Sequence, residues 1–186
     1  MTSDEQAAKS PALFSDVAPS KRSRFVRSLP KPHEVLIGAP GWALAMAISA
    51  CLALWLRGNG AALHLRDVLL LYALGGLFAW PLSLFAARFA AQEREVETRF
   101  SAFLLCLIAG TVATTACLFT FDYRIFYAQW HAATGTRTWL FQFLFTFLAA
   151  LYQFLVLGVR LYLPFGLVAV VAASLWLAQS DMRQRR

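Results

Sequence analysis

The sequence predicts an all-α fold, a polytopic transmembrane helical bundle, and two observations carry the prediction. Five stretches without a charged residue, at about 35–56, 68–87, 100–121, 138–159 and 161–178, make up more than half of the 186 residues. Four are about 20 residues or longer and the last is slightly shorter, so each as a helix matches a hydrocarbon core of roughly 30 Å. A charge at the centre of any of them would cost about 2.5–3.5 kcal/mol on insertion scales. The second observation is composition: mean hydropathy is +0.57 and 59% of residues are hydrophobic. With loops this short, the chain reads as one membrane unit without a separate soluble domain.

Residues 1–32 come first and read as a disordered, basic, cytoplasmic tail. Pro11, Pro19, Pro30 and Pro32 interrupt it, and its apolar content is too sparse to offset the entropy of ordering. Lys21, Arg22, Arg24, Arg27 and Lys31 form a basic cluster ahead of the first span, with no acid among them. Each such residue contributes about 1 kcal/mol of attraction to an anionic leaflet. The cluster reads first as an orientation signal and second as a dock for lipids or a partner. Net charge is +7 with a pI near 9.8. Because the basic residues flank spans, anionic membrane lipids rather than nucleic acid are the expected partner. The richness in Arg, Ala and Leu points to a bacterial source and hence to the inner membrane.

The bundle proper covers 33–180. Its first span carries Gly41, Ala45, Ser49 and Ala53 at four-residue intervals, and the third carries Ala109, Gly110, Ala113 and Cys117. Small-residue stripes let helix backbones approach closely, so both faces are expected to be helix contacts, within the chain, in self-association or with another membrane protein. Cys51, Cys106 and Cys117 all lie in apolar runs, and the last two are about 16 Å apart along one helix, too far for a disulfide. They read as core filler. Ile48-Ser49-Ala50-Cys51 resembles a lipoprotein processing site. The long preceding segment and the apolar sequence after Cys51 make an uncleaved anchor the better reading. In the second span, Trp80-Pro81 predicts a kink and Gly75-Gly76 local give.

Between the third and fourth spans, Asp122, Tyr123, Arg124, Tyr127, Trp130 and His131 concentrate polar and aromatic groups. Wound as a helix, Tyr123, Phe126, Tyr127 and Trp130 share one face, which fits a separate helix lying at headgroup level. Asp122, Arg124 and His131 offer a second reading, as a lipid-phosphate or proton site. In the fourth span Gln142, Thr146 and Gln153 share one face as a polar seam, expected to reach the hydroxyls of Thr111, Thr114 and Thr115.

The final apolar block, 138–178, would be about 60 Å long as one straight helix, twice the hydrocarbon core. A hairpin turning at 158–164, where Gly158 and Pro164 stand, is therefore expected. Five spans are favoured, with four crossings plus a re-entrant arm as the alternative. Residues 181–186 are a basic C-terminal tail, on the far side in the first case and with the N-terminus in the second.

No nucleotide, dinucleotide, hydrolase or metalloprotease motif occurs, and no Asp, Glu, Lys, Arg or His falls mid-span. Neither a cofactor, a metal nor an enzymatic activity is expected. The sequence points to an accessory, assembly or scaffolding protein, with a small oligomeric permease, flippase or channel for a neutral or lipid substrate as the alternative.

Overall fold

A computed structural model describes residues 21–58, 64–92 and 95–183, with side chains from Phe25 to Ser180 within those bounds. All regular structure among the described residues is helical: α1 (Lys21–Ser28), α2 (Pro32–Leu56), α3 (Leu65–Ala90), α4 (Val96–Tyr127), α5 (Arg137–Gln153) and α6 (Phe165–Arg183). Four helical stretches are long and apolar enough to cross a membrane: Pro32–Leu56, Leu65–Ala90, Val96–Trp130 and Arg137–Tyr162. The chain is a multi-pass transmembrane bundle. A shorter apolar helix, Phe165–Ser180, follows them.

α2, α3 and α4 outrun the charge-free stretches, and at the start of α2 a capping arrangement accounts for the extension. Pro32 occupies the first turn of α2, where its missing N–H costs nothing, and Glu34 accepts the Lys31 amide at 2.9 Å. Gly58, at φ 75°, ends the same helix in the left-handed conformation. Charged residues mark both ends of the bundle. Glu34 to Arg57 on α2, Asp67 to Arg88 on α3 and Arg99 to Asp122 on α4 are separated by 21 to 23 residues. At 1.5 Å per residue that is about 31–35 Å, close to a hydrocarbon core. The end holding Glu34, Arg88 and Arg99 is called the lower end below, and the end holding Arg57, Asp67 and Asp122 the upper.

The expected tail is partly ordered. Lys21–Ser28 is helical, and α1 lies against α3 with the Phe25 and Phe85 rings 5.1 Å apart, edge to face. Ser28 is fully buried and its hydroxyl accepts from Gln92 Nε2. Phe25 is the anchor that a reading weighted by charge overlooks, and Pro30 ends the helix by disfavouring helical geometry at Leu29. Residues 1–20 lie outside the described residues, as do the Lys21, Arg22 and Arg24 side chains; Arg27 and Lys31 are exposed.

The hairpin is not formed. After α5 the chain passes through one π turn, Phe154–Gly158, a 3-10 turn, Val159–Tyr162, and a cis Leu163–Pro164 bond before α6 begins. Throughout this passage it keeps descending along α4. Arg124 of α4 meets Trp139 and Phe143, Phe119 meets Phe154, and Thr115 meets Tyr162. Lower still, Ile108, Thr111 and Val112 share a cavity with Gly166, Leu167 and Val170. Helices α5 and α6 are thus two segments of one broken path antiparallel to α4, and they make no packed interface with each other. Gly158 and Pro164 break the path without reversing it: a Cβ at Gly158 would strike the Phe154 ring, and Pro164 offers no amide to the turn before it.

The core lies among α2, α3, α4 and α6, where Trp42, Met46, Tyr72, Leu84, Phe103, Leu107 and Val170 are buried. Phe154, the first residue past α5, sits beside Phe119, one turn below Asp122. Nearly the whole of α5 therefore stands at or above the upper charged level, beside the extension of α4 that continues through the 3-10 turn Ala128–Trp130.

Candidate functional site

One polar arrangement lies inside the bundle and another at its upper end. The interior one fastens the broken path to the other helices. Tyr162 Oη donates to Thr115 Oγ1 at 2.7 Å and Thr115 in turn donates to the Thr111 carbonyl at 2.8 Å. Trp42 Nε1 donates to Thr111 Oγ1 at 3.1 Å. Carbonyls at the break are bonded by side chains as well: Tyr72 Oη donates to Gly158 O at 2.6 Å, Ser49 Oγ to Leu161 O at 3.2 Å, and Arg57 Nη2 to Arg160 O at 3.0 Å, the last carbonyl also accepting the Leu163 amide at 3.2 Å. A carbonyl left bare in an apolar interior would cost a few kcal/mol, so these side chains make the break tenable. Two small apolar cavities flank it, of about 130 Å³ beside Met46 and Thr111 and about 190 Å³ beside Phe119 and Gln153.

The upper arrangement is an open cleft of about 630 Å³ between the end of the α4 extension and α5. Trp130, His131, Arg137, Phe141, Gln142 and Thr146 line it. Thr136 caps α5 by accepting the Trp139 amide at 3.1 Å, which fixes where Arg137 leaves the helix. Gln142 Oε1 accepts the Ala132 amide at 2.9 Å and so pins the connection to the helix. The Thr146 hydroxyl donates to Gln142 O at 2.6 Å, so toward His131 Nε2, 3.3 Å away, it acts as the acceptor. That assigns the Nε2 proton to His131.

The residues singled out in the sequence are distributed across these places unevenly. Gln142 and Thr146 do share the cleft with Trp130 and His131, whereas Gln153 is exposed and lines the separate cavity beside Phe119. The seam does not reach the α4 hydroxyls: Thr111 and Thr115 are taken by Trp42 and Tyr162, and Thr114 donates back to Gly110 O at 2.7 Å. No separate interfacial helix forms over 122–131, because α4 runs on through Tyr127. The aromatic face is present on that extension, with Tyr123–Tyr127 ring centroids 4.5 Å apart and Phe126–Trp130 5.5 Å. Asp122 is exposed. Arg124 turns to α5 rather than to His131, its guanidinium 4.1 Å from the Phe143 ring centroid and 5.6 Å from that of Trp139.

Only part of each small-residue stripe packs within the chain. Ser49 and Ala53 are buried and Ala45 is half-buried, but Gly41 is exposed with open space where its Cβ would be. Ala109, Ala113 and Cys117 face outward; Gly110 alone of that set packs, against Ser83. The contact face of α4 is the adjoining one, Phe103, Leu107, Thr111 and Thr115, because threonines that bond their hydroxyls back to the helix pack as small residues. Gly75 and Gly76 are points of close approach, to Thr115 and to the α2 backbone at Ala43, and so do not supply give. The anchors overlooked by the sequence reading are Trp42, Tyr72, Trp80 and Tyr162. The signal was present in their polar tips, which need partners once buried.

Comparison with protein families, with curated proteins and with solved structures finds no match.

Proposed function

We propose that the chain is a bacterial inner-membrane protein with its N-terminus in the cytoplasm and a non-enzymatic accessory, assembly or scaffolding role, in which α5 is the limb that holds a partner membrane protein. The observation that supports this is the cover each helix receives. In the most apolar windows of α2, α3 and α4, 28–39% of residues are buried within the chain, against 11% for the Arg137–Tyr162 stretch. Leu144 and Leu148 form an exposed ridge on the side of α5 away from Phe143 and Ala150, and Leu155 in the π turn that follows is exposed as well. Another helix laid on that ridge would gain packing that this chain withholds.

Site-specific photo-crosslinking in cells tests the reading. A photoreactive residue at Leu148 is expected to yield one discrete protein adduct. The same residue at Leu105, exposed on the bundle flank of α4, is expected to yield lipid adducts alone. Lipid adducts at both positions would defeat the proposal.

A second reading, a small oligomeric permease, flippase or channel, draws support from the break at 154–164, since discontinuous membrane helices build substrate sites in transporters. Solute or lipid flux in liposomes holding the purified chain alone would favour it.

A further inference from the structure

We infer that the cleft between the α4 extension and α5 is a binding site for the phosphate headgroup of an anionic membrane lipid. This goes beyond the partner-holding role and does not depend on it. The cleft joins the two chemistries that an anionic lipid presents. Its polar side carries Arg137, whose planar guanidinium matches two phosphate oxygens at once and makes no ion pair among the described residues. Gln142 spends its carbonyl oxygen on the Ala132 amide, which leaves its Nε2 group to donate. Thr138 adds a hydroxyl, and His131 lines the same cleft with its Nε2 proton held toward Thr146. Among the described residues no carboxylate lines the cleft. Repulsion of an anion is therefore absent from its walls.

The apolar side decides between a lipid and a free anion. Phe141 and Phe145 floor the cleft and Trp130 stands at its edge. Both phenylalanines are exposed and continue into the apolar flank of α5 at Leu144 and Leu148. A free phosphate has no use for such a floor, whereas the glycerol and first methylenes of a lipid would cover it at about 0.8 kcal/mol per buried CH₂. The level agrees too. The cleft lies above Asp122 and Phe119, at the height where headgroups meet the hydrocarbon, and Trp and Tyr rings crowd that height on the same extension.

The test uses the full chain in a mild detergent with equimolar phosphatidylglycerol and phosphatidylcholine of identical acyl chains, read by native mass spectrometry. Preferential retention of one phosphatidylglycerol per chain is expected. Arg137→Gln should lower that retention about fivefold, the equivalent of one charge-assisted contact, and Arg137→Lys should fall between, since it keeps the charge and loses the fork. Arg137 is exposed, so neither change threatens the fold. Arg27→Gln, which removes an equal charge at the other end of the bundle, should leave retention unchanged. Equal retention by Arg137→Gln and the parent chain overturns the proposal. Displacement of the lipid by excess inorganic phosphate also overturns it, by assigning the cleft to a free anion.

Discussion

Glu34 and Arg88 close the lower end of the bundle as a two-pronged pair, with Arg88 Nη1 and Nη2 donating to the two carboxylate oxygens at 2.7 and 3.0 Å. The same turn of α2 is held from a second side, because Trp80 Nε1 donates to the Glu34 carbonyl at 3.1 Å. Both side chains are mostly shielded, at 12% and 17% exposure, so the pair belongs with buried ion pairs rather than with solvated ones. Arg88→Leu strands the carboxylate and should cost about 3 kcal/mol. Replacing both residues with leucine removes the stranded charge as well and should cost less than the single change. Thermal unfolding of the three proteins in one detergent decides this, and a double variant less stable than Arg88→Leu would refute it.

Close approach between α3 and α4 sets a second expectation. A Cβ at Gly75 would collide with Thr115 Oγ1, so Gly75→Leu forces the helices apart and should cost about 1–3 kcal/mol or more, as overpacking does. Ala113→Leu lies on the exposed side of α4 and should change stability by less than about 0.5 kcal/mol. The reverse order of the two would show that α4 packs through its alanines.

That contrast shows which properties are readable in the chain. Span positions were legible because insertion energetics depend on composition alone. The helix ends lie further out at the start of α2, where Pro32 and Glu34 cap it, and at both ends of α3 and α4, where the helices run on through charged residues. Which face of a span packs was not legible. In a soluble protein hydrophobicity marks the buried face, but here every face is apolar, and Ala113 and Thr115 differ little in the cost of meeting lipid. The destination of the last block was equally hidden. Gly158 and Pro164 announce a break, yet the direction after it is fixed by distant residues, Tyr72, Ser49 and Thr115, that accept or supply hydrogen bonds at the broken turn. The pairing of Gln142 and Thr146 with His131 was missed for a related reason, since it depends on the chain doubling back at Ala132.

The hydrogen bond from Tyr162 to Thr115 should matter more for local order than for global stability. Tyr162→Phe deletes one donor and leaves the ring in place, so the expected loss is about 0.6–1.5 kcal/mol. Amide hydrogen exchange in detergent should rise across 154–164 while 103–115 stays protected. Uniform acceleration along the chain would mean that the bond supports the whole bundle, and no change at all would mean that it does not hold the break.

The descent of α5 and α6 along α4 makes a claim about sides that a hairpin would reverse. Gly166 lies against Ser49 and Val170 shares a cavity with Met46, so α6 runs down beside α2 toward the Glu34 end. Gln179 and His33, both exposed, should therefore be reached from the same side of the membrane, and Thr134, also exposed, from the other. Single cysteines at these three positions, in a chain with Cys51, Cys106 and Cys117 replaced by alanine, report this through an impermeant maleimide applied to intact cells and to inverted vesicles. A hairpin would label Gln179→Cys together with Thr134→Cys. The charge pattern adds an independent reason to expect otherwise. With α6 descending, Arg183 joins the side of Lys21, Arg22, Arg24, Arg27 and Lys31 and adds to the excess of positive charge on that face of the membrane.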